Sequence, residues 1–144
     1  MERKIILLVE DNPDDVLLTK RVFKKYNLLN EIVVAQDGAE ALDILLGDGT
    51  YPGKEEGGLP ALILLDINLP KVGGLDVLKQ LRANEKTNLV PIVLLTSSKE
   101  EQDVLRGYQL GANSYVRKPV VFEDFSATVH QLGMYWLLLN EPLP

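Results

Sequence analysis

The chain has 144 residues, 15 Lys+Arg against 21 Asp+Glu for a net charge of -6, and no cysteine. The length makes about one domain around a single core, residues 1–144, and the acidic balance argues against a nucleic-acid footprint. The missing cysteines exclude thiolate chemistry, disulfides and Cys-based zinc sites.

Met1-Glu2-Arg3-Lys4 leads into Ile5 to Val9, a run too short for a signal peptide's apolar region or a membrane span. The expectation is a soluble cytoplasmic protein with no membrane contact. Being wholly apolar, the run reads as a strand covered on both faces, hence a parallel sheet with helices on each side. It ends in Glu10-Asp11. Asn12-Pro13-Asp14-Asp15 then offers a cap, a first-turn proline and first-turn acids for a helix carrying Leu18, Val22, Phe23 and Tyr26.

Ile32 to Ala35 gives the second strand in chain order, and Asp37-Gly38 opens a helix with Ala41, Leu42, Leu45 and Leu46 on one face. From Gly47 to Gly58 the composition turns to Gly, Pro and acids, predicting a surface loop. Gly53-Lys54 invites a phosphate-loop reading, but that motif needs Gly at 48 and Ser or Thr at 55, where Asp48 and Glu55 stand.

Leu62 to Leu65 is a third apolar run, bounded by Pro60 and Pro70 and ending in Asp66. Gly73-Gly74 precedes a helix on Leu75, Leu78 and Leu81. Pro91 to Leu95 is the fourth strand, ending in Thr96-Ser97-Ser98. A helix from about Lys99 to Gln109 on Val104, Leu105 and Tyr108 follows, closed by Gly111. Ser114-Tyr115-Val116 is the fifth strand, leading to Arg117-Lys118-Pro119 and a last helix from about Phe122 to Leu138, with 139–144 a tail. Alternation of five strands and five helices makes a doubly wound α/β domain with every strand C-terminus on one edge.

Four strand ends carry chemistry to that edge: Glu10 with Asp11, Asp66, Thr96, and Lys118. Ligands of open α/β sheets bind there. Three clustered carboxylates need a cation or a proton, and Mg²⁺, which takes carboxylate oxygens and leaves positions for a phosphoryl oxygen, fits. Asp66 as nucleophile, Lys118 as neutralising charge and Thr96 as hydroxyl donor suit an aspartyl phosphate. His130 lies in the last helix, away from that edge, so a histidine phosphodonor has to come from another protein.

Val9-Glu10-Asp11-Asn12, Leu65-Asp66-Ile67-Asn68-Leu69-Pro70, Leu95-Thr96-Ser97 and Tyr115-Val116-Arg117-Lys118-Pro119 resemble the receiver domain of two-component response regulators over almost the whole chain. The resemblance implies a flavodoxin-like sheet of order 2-1-3-4-5. It implies Asp66 as phosphoacceptor, Glu10 and Asp11 as the acidic pair around Mg²⁺, and a metal-facing backbone carbonyl at Asn68. It further implies Thr96 and Lys118 against the phosphoryl group, Tyr115 as aromatic switch, and a cis Lys118–Pro119 bond. Ser97 stands where many receivers have Ala or Gly, which would narrow access to the phosphate. The 47–58 loop, the Asn12-Pro13 start and the Tyr135-Trp136 tail are similar to small stand-alone regulators paired with bacterial phytochromes. The implied partner is a sensor histidine kinase. With no output domain before Pro144, the signal is expected to leave by protein contact.

A rival reading is a Mg²⁺-dependent phosphatase with an Asp nucleophile, but its acid/base two residues on would be Asn68, which cannot exchange a proton. Another is a docking module that is never phosphorylated, disfavoured because each chemical position is filled. In the last helix, Phe122, Phe125, Val129, Leu132 and Trp136 form the stripe expected to face the sheet. Met134 and Leu138 fall opposite, widened by Leu137, Leu139 and Leu143. That apolar area predicts a homodimer, and the resemblance to receiver domains implies the surface of the fourth helix, fifth strand and fifth helix as its place.

Overall fold

The computed structural model describes residues 5–28, 30–97, 100–119 and 121–142. The start of the fourth helix at Lys99, the Leu143 end of the tail and the leading Met1 to Lys4 lie outside them. Strands β1 (Ile5–Val9), β2 (Glu31–Ala35), β3 (Leu62–Leu65), β4 (Ile92–Thr96) and β5 (Ser114–Arg117) form one parallel sheet of order β2-β1-β3-β4-β5. Helices α1 (Pro13–Lys25), α2 (Gly38–Leu46), α3 (Gly74–Ala83), α4 (Glu101–Gln109) and α5 (Phe122–Met134) fill the connections. None of the described helices is long and apolar enough to cross a membrane.

The central strands are apolar on both faces because both are covered, and side-chain alternation divides the core in two. Ile5, Leu7, Val9, Ile63, Leu65, Ile92 and Leu94 pack with residues of α2 and α3, among them Leu45, Val77 and Leu81. Ile6, Leu8, Leu62, Leu64, Val93 and Leu95 pack on the other side with Val22 and Phe23 of α1 and Phe125 and Val129 of α5. Truncating a fully buried leucine such as Leu64 to alanine removes about 2–5 kcal/mol, a large part of a domain's stability.

Local chemistry sets the helix starts. The Asn12 side chain accepts from the Asp14 N–H at 2.9 Å, with Pro13 at the first helical position. At α2 the Asp37 carboxylate accepts from the Glu40 N–H at 2.7 Å, while Glu40 reaches back to the Gln36 N–H at 3.1 Å. Between α2 and β3 the expected surface loop is only partly that. Tyr51 is buried in the core and its hydroxyl donates to the Gly58 carbonyl at 2.7 Å, while Lys54 donates to the carbonyls of Gly47 and Gly49.

The last two helices differ from the sequence expectation. In α4, Leu105 and Tyr108 are exposed and Gly107 is the buried residue, because the helix lies so close to the sheet that a Cβ there would come 2.6 Å from Leu94. In α5, Phe122, the first residue of the helix, is exposed. The rest of the expected stripe faces the core: Phe125 and Val129 are buried, Leu132 and Trp136 pack against them partly buried, and Gly133 is buried as well. Leu137, expected on the outer face, is buried. Residues Tyr135–Leu139 form a π turn, which rotates each residue less than an α turn does and so brings Leu137 back under the helix. Met134, Leu138 and Leu139 do face outward. His130 stacks on Tyr26, which directly follows α1, ring centroids 3.5 Å apart.

Candidate functional site

The residues at the C-terminal sheet edge are held by backbone ladders that run past the strands. The Glu10 N–H donates to Ala35 O at 2.9 Å, the Asp66 N–H to Val9 O at 3.2 Å, and the Lys118 N–H to Thr96 O at 2.8 Å. Each side chain therefore starts from a backbone as rigid as the sheet. Glycine lets α3 close in beside Asp66: a Cβ on Gly74 would lie 2.0 Å from the Asp66 carbonyl oxygen.

Five of the seven expected residues meet here. The Lys118 ammonium donates to Asp66 Oδ2 at 3.0 Å, to Asp15 Oδ2 at 3.0 Å, and to Glu10 Oε1. Thr96, fully buried, hydrogen-bonds the Asp66 carboxylate, whose Oδ1 also accepts the Asn68 N–H at 3.2 Å. Carboxylate oxygens of Glu10, Asp11 and Asp66 lie within 4.8 Å of one another. Tyr115 is not in this cluster. It sits half-buried on β5, paired with Leu94 and beneath Gly107 of α4, on the sheet face that Leu94 and Thr96 share. Asn68 is exposed and touches the cluster through its N–H. Pro119 departs from expectation: among the described residues no peptide bond is cis, so Lys118–Pro119 takes trans, the lower-energy isomer.

Asp15 was not singled out by the sequence reading, which treated it as a first-turn acid. Its place was the available signal, since it stands in the first turn of the helix that opens directly after Asp11-Asn12 and so stays at the same edge.

The electrostatics follow from burial. Burial raises the Glu10 carboxyl most strongly, Lys118 draws it back, and Asp66 pushes it up again, leaving it at about 8. Asp66 is also opposed by burial, but the Thr96 hydrogen bond, Lys118 and the Asn68 N–H outweigh that and hold it below the ordinary carboxylate value. Burial likewise disfavours the Lys118 ammonium, yet its bond to Glu10 and the charges of Asp66 and Glu10 raise its pKa and keep it protonated.

Lys118 thus faces three of the four carboxylates gathered here, and among the described residues Glu10 Oε2 is buried with no hydrogen-bond partner. A buried, unpartnered carboxyl oxygen beside two more carboxylates fits a hard divalent cation, which would take the place of the Glu10 proton. The donor set is all oxygen and suits that class of ion.

The response regulator receiver domain family matches residues 6–130. The chain belongs to that family. Response regulator Rcp1 of Synechocystis is 37% identical over 134 residues, 93% of this chain and 89% of Rcp1. The Mn(2+)-bound form of Rcp1 superposes with a TM-score of 0.88 over 98% of this receiver and 99% of that chain, at 34% identity. The phosphorylated cyanobacterial phytochrome response regulator RcpA gives 0.89 at 30% identity, over 99% and 100%. The bacteriophytochrome response regulator AtBRR gives 0.73 at 50% identity, over 98% and 100%. This receiver is thus of the kind found in small stand-alone response regulators, which are phosphorylated on aspartate by histidine kinases, and its strand order is the flavodoxin-like one.

Proposed function

We propose that residues 1–144 act as one receiver that takes a phosphoryl group onto Asp66 from a sensor histidine kinase of the phytochrome class and signals by protein contact. The observation that carries this reading is the Lys118 ammonium, which crosses from the end of β5 to within 3.0 Å of Asp66. An Asp66 oxygen attacks phosphorus and the P–N bond of the phosphohistidine breaks. With the ring's other nitrogen protonated, the electron pair of that bond stays with the departing nitrogen and the donor leaves as a neutral imidazole.

Glu10, Asp11, Asp66 and the Asn68 backbone carbonyl would hold Mg²⁺. When bound, the ion offsets the negative charge of the transferring group. Lys118 supplies positive charge from the other side, and the Thr96 hydroxyl turns from Asp66 to a phosphoryl oxygen. That turn vacates room on the face Thr96 shares with Tyr115, which moves inward and shifts α4. The receiver catalyses only its own phosphorylation and dephosphorylation; Asn68, where an external phosphatase needs an acid/base, has no proton to exchange.

Leu105 and Tyr108 of α4 and Phe122, Tyr135, Leu138 and Leu139 at α5 are exposed, six large apolar side chains on the two helices that the expected dimer surface uses. Its occupant in this reading is a second copy of the receiver. The phosphorylation reading is tested by intact mass after incubation with acetyl phosphate and Mg²⁺, and by transfer from a phosphorylated phytochrome kinase. Wild type gains one phosphoryl group and Asp66→Asn none; a fully labelled Asp66→Asn overturns the assignment.

A further inference from the structure

An ammonium has three N–H bonds, and those of Lys118 are directed at three carboxylates, Glu10, Asp15 and Asp66. Glu10 and Asp66 belong to the strand ends. Asp15 comes from α1, and its backbone is fixed on both sides. Its N–H is directed at the Asn12 cap oxygen at 3.4 Å, and its carbonyl accepts the hydroxyl of buried Thr19 at 2.8 Å. A side chain launched from so constrained a backbone holds its partner in one orientation.

We propose that Asp15 is a positioning residue that holds Lys118 in its unphosphorylated orientation and so sets how readily Asp66 carries a phosphoryl group. The inference rests on Lys118 being the phosphoryl group's partner. Phosphoryl oxygens on Asp66 need donors: the N–H now on Asp66 passes to them with the modified carboxylate, and a second has to be released by Glu10 or Asp15. Glu10 is buried with Lys118 and pays most to lose it, whereas the Asp15 side chain is 24% exposed and water can replace the ammonium there. Asp15 also places a negative charge beside the arriving dianion. Both effects favour the unphosphorylated state, and an interaction made in one state only is what moves such an equilibrium.

The test is titration of the full chain with beryllofluoride at saturating Mg²⁺, so that any change in metal affinity is removed. In Asp15→Asn the half-saturating concentration falls roughly fivefold, the effect of releasing a partly exposed ion pair. Asp15→Glu restores wild-type behaviour. Asp14→Asn, which removes an exposed first-turn charge with the same relation to the helix dipole, leaves the affinity unchanged. In the wild type, the Asp15 carboxyl carbon resonance shifts on adding beryllofluoride as its ammonium departs. Unchanged affinity in Asp15→Asn, an equal shift in Asp14→Asn, or an unmoved Asp15 resonance overturns the positioning role while leaving the receiver reading intact. A wild type that does not bind beryllofluoride overturns both.

Discussion

Glu10→Gln separates the electrostatics of the acidic pocket from its packing. In the metal-free receiver the Glu10 carboxyl is raised from 4.5 to about 8. Between those values the folded state keeps a proton that the unfolded chain has released, so stability is highest below about pH 4.5 and falls as pH rises toward 8. Each pH unit in that interval costs about 1.4 kcal/mol, so by pH 7 the wild type has lost about 3 kcal/mol. The glutamine amide oxygen still accepts from Lys118, and its NH₂ stands where the protonated Oε2 would be. The variant is therefore a mimic of the protonated wild type. Urea denaturation of both proteins in EDTA from pH 5 to pH 8 reads the difference directly. The two stabilities lie close near pH 5, and the variant leads by about 3 kcal/mol at pH 7. Mg²⁺ restores the wild type and does little for the variant. Parallel pH dependences for the two proteins would refute the reasoning, because any slope from other groups is common to both.

Asp11→Asn leaves folding intact and raises the Mg²⁺ concentration needed for labelling by acetyl phosphate by about tenfold or more, since one hard ligand is lost; an unchanged titration counts against its ligand role. Thr96→Ala leaves Asp66 able to accept the phosphoryl group but removes the phosphorylation dependence of partner binding, measured with and without beryllofluoride. Retained dependence breaks the Thr96–Tyr115 link. Leu138→Lys abolishes self-association in sedimentation at tens of micromolar protein; a wild type that is monomeric with and without the phosphoryl analogue leaves the same face to another partner.

Strands were readable because a parallel sheet covered on both faces demands unbroken apolar runs, and chains such as Leu62 to Leu65 have no other stable use. The strand-end chemistry followed, since each of Glu10, Asp66 and Thr96 closes or directly follows such a run. What escaped was set by tertiary approach. Gly107 makes the α4 contact that a large apolar residue was expected to make, and a glycine carries no hydropathy signal. Leu137 turned inward because a π turn altered the periodicity on which the outer face was assigned. Tyr51 pins a loop whose composition looked wholly solvated. Asp15 looked like an ordinary first-turn acid because helix-dipole pairing and Lys118 pairing ask for the same residue type.

Arg82 of α3 lies at the sheet edge opposite Asp66. Its guanidinium donates to the carbonyls of Val90 at 2.8 Å and Gly111 at 2.9 Å and to the Asn113 side chain at 2.9 Å. Gly111, at φ 101°, directly follows the end of α4. The far end of α4 is thereby staked to the body of the domain, whereas its near end begins at Glu100 with no side-chain cap bond. A rod about 13 Å long fixed at one end responds to a push at the other by tilting about that fulcrum. In the proposed switch, an ångström of travel near Thr96 would become a few degrees of rotation, and Leu105 and Tyr108 would turn with it. What a partner proposed for this face would read is an angle.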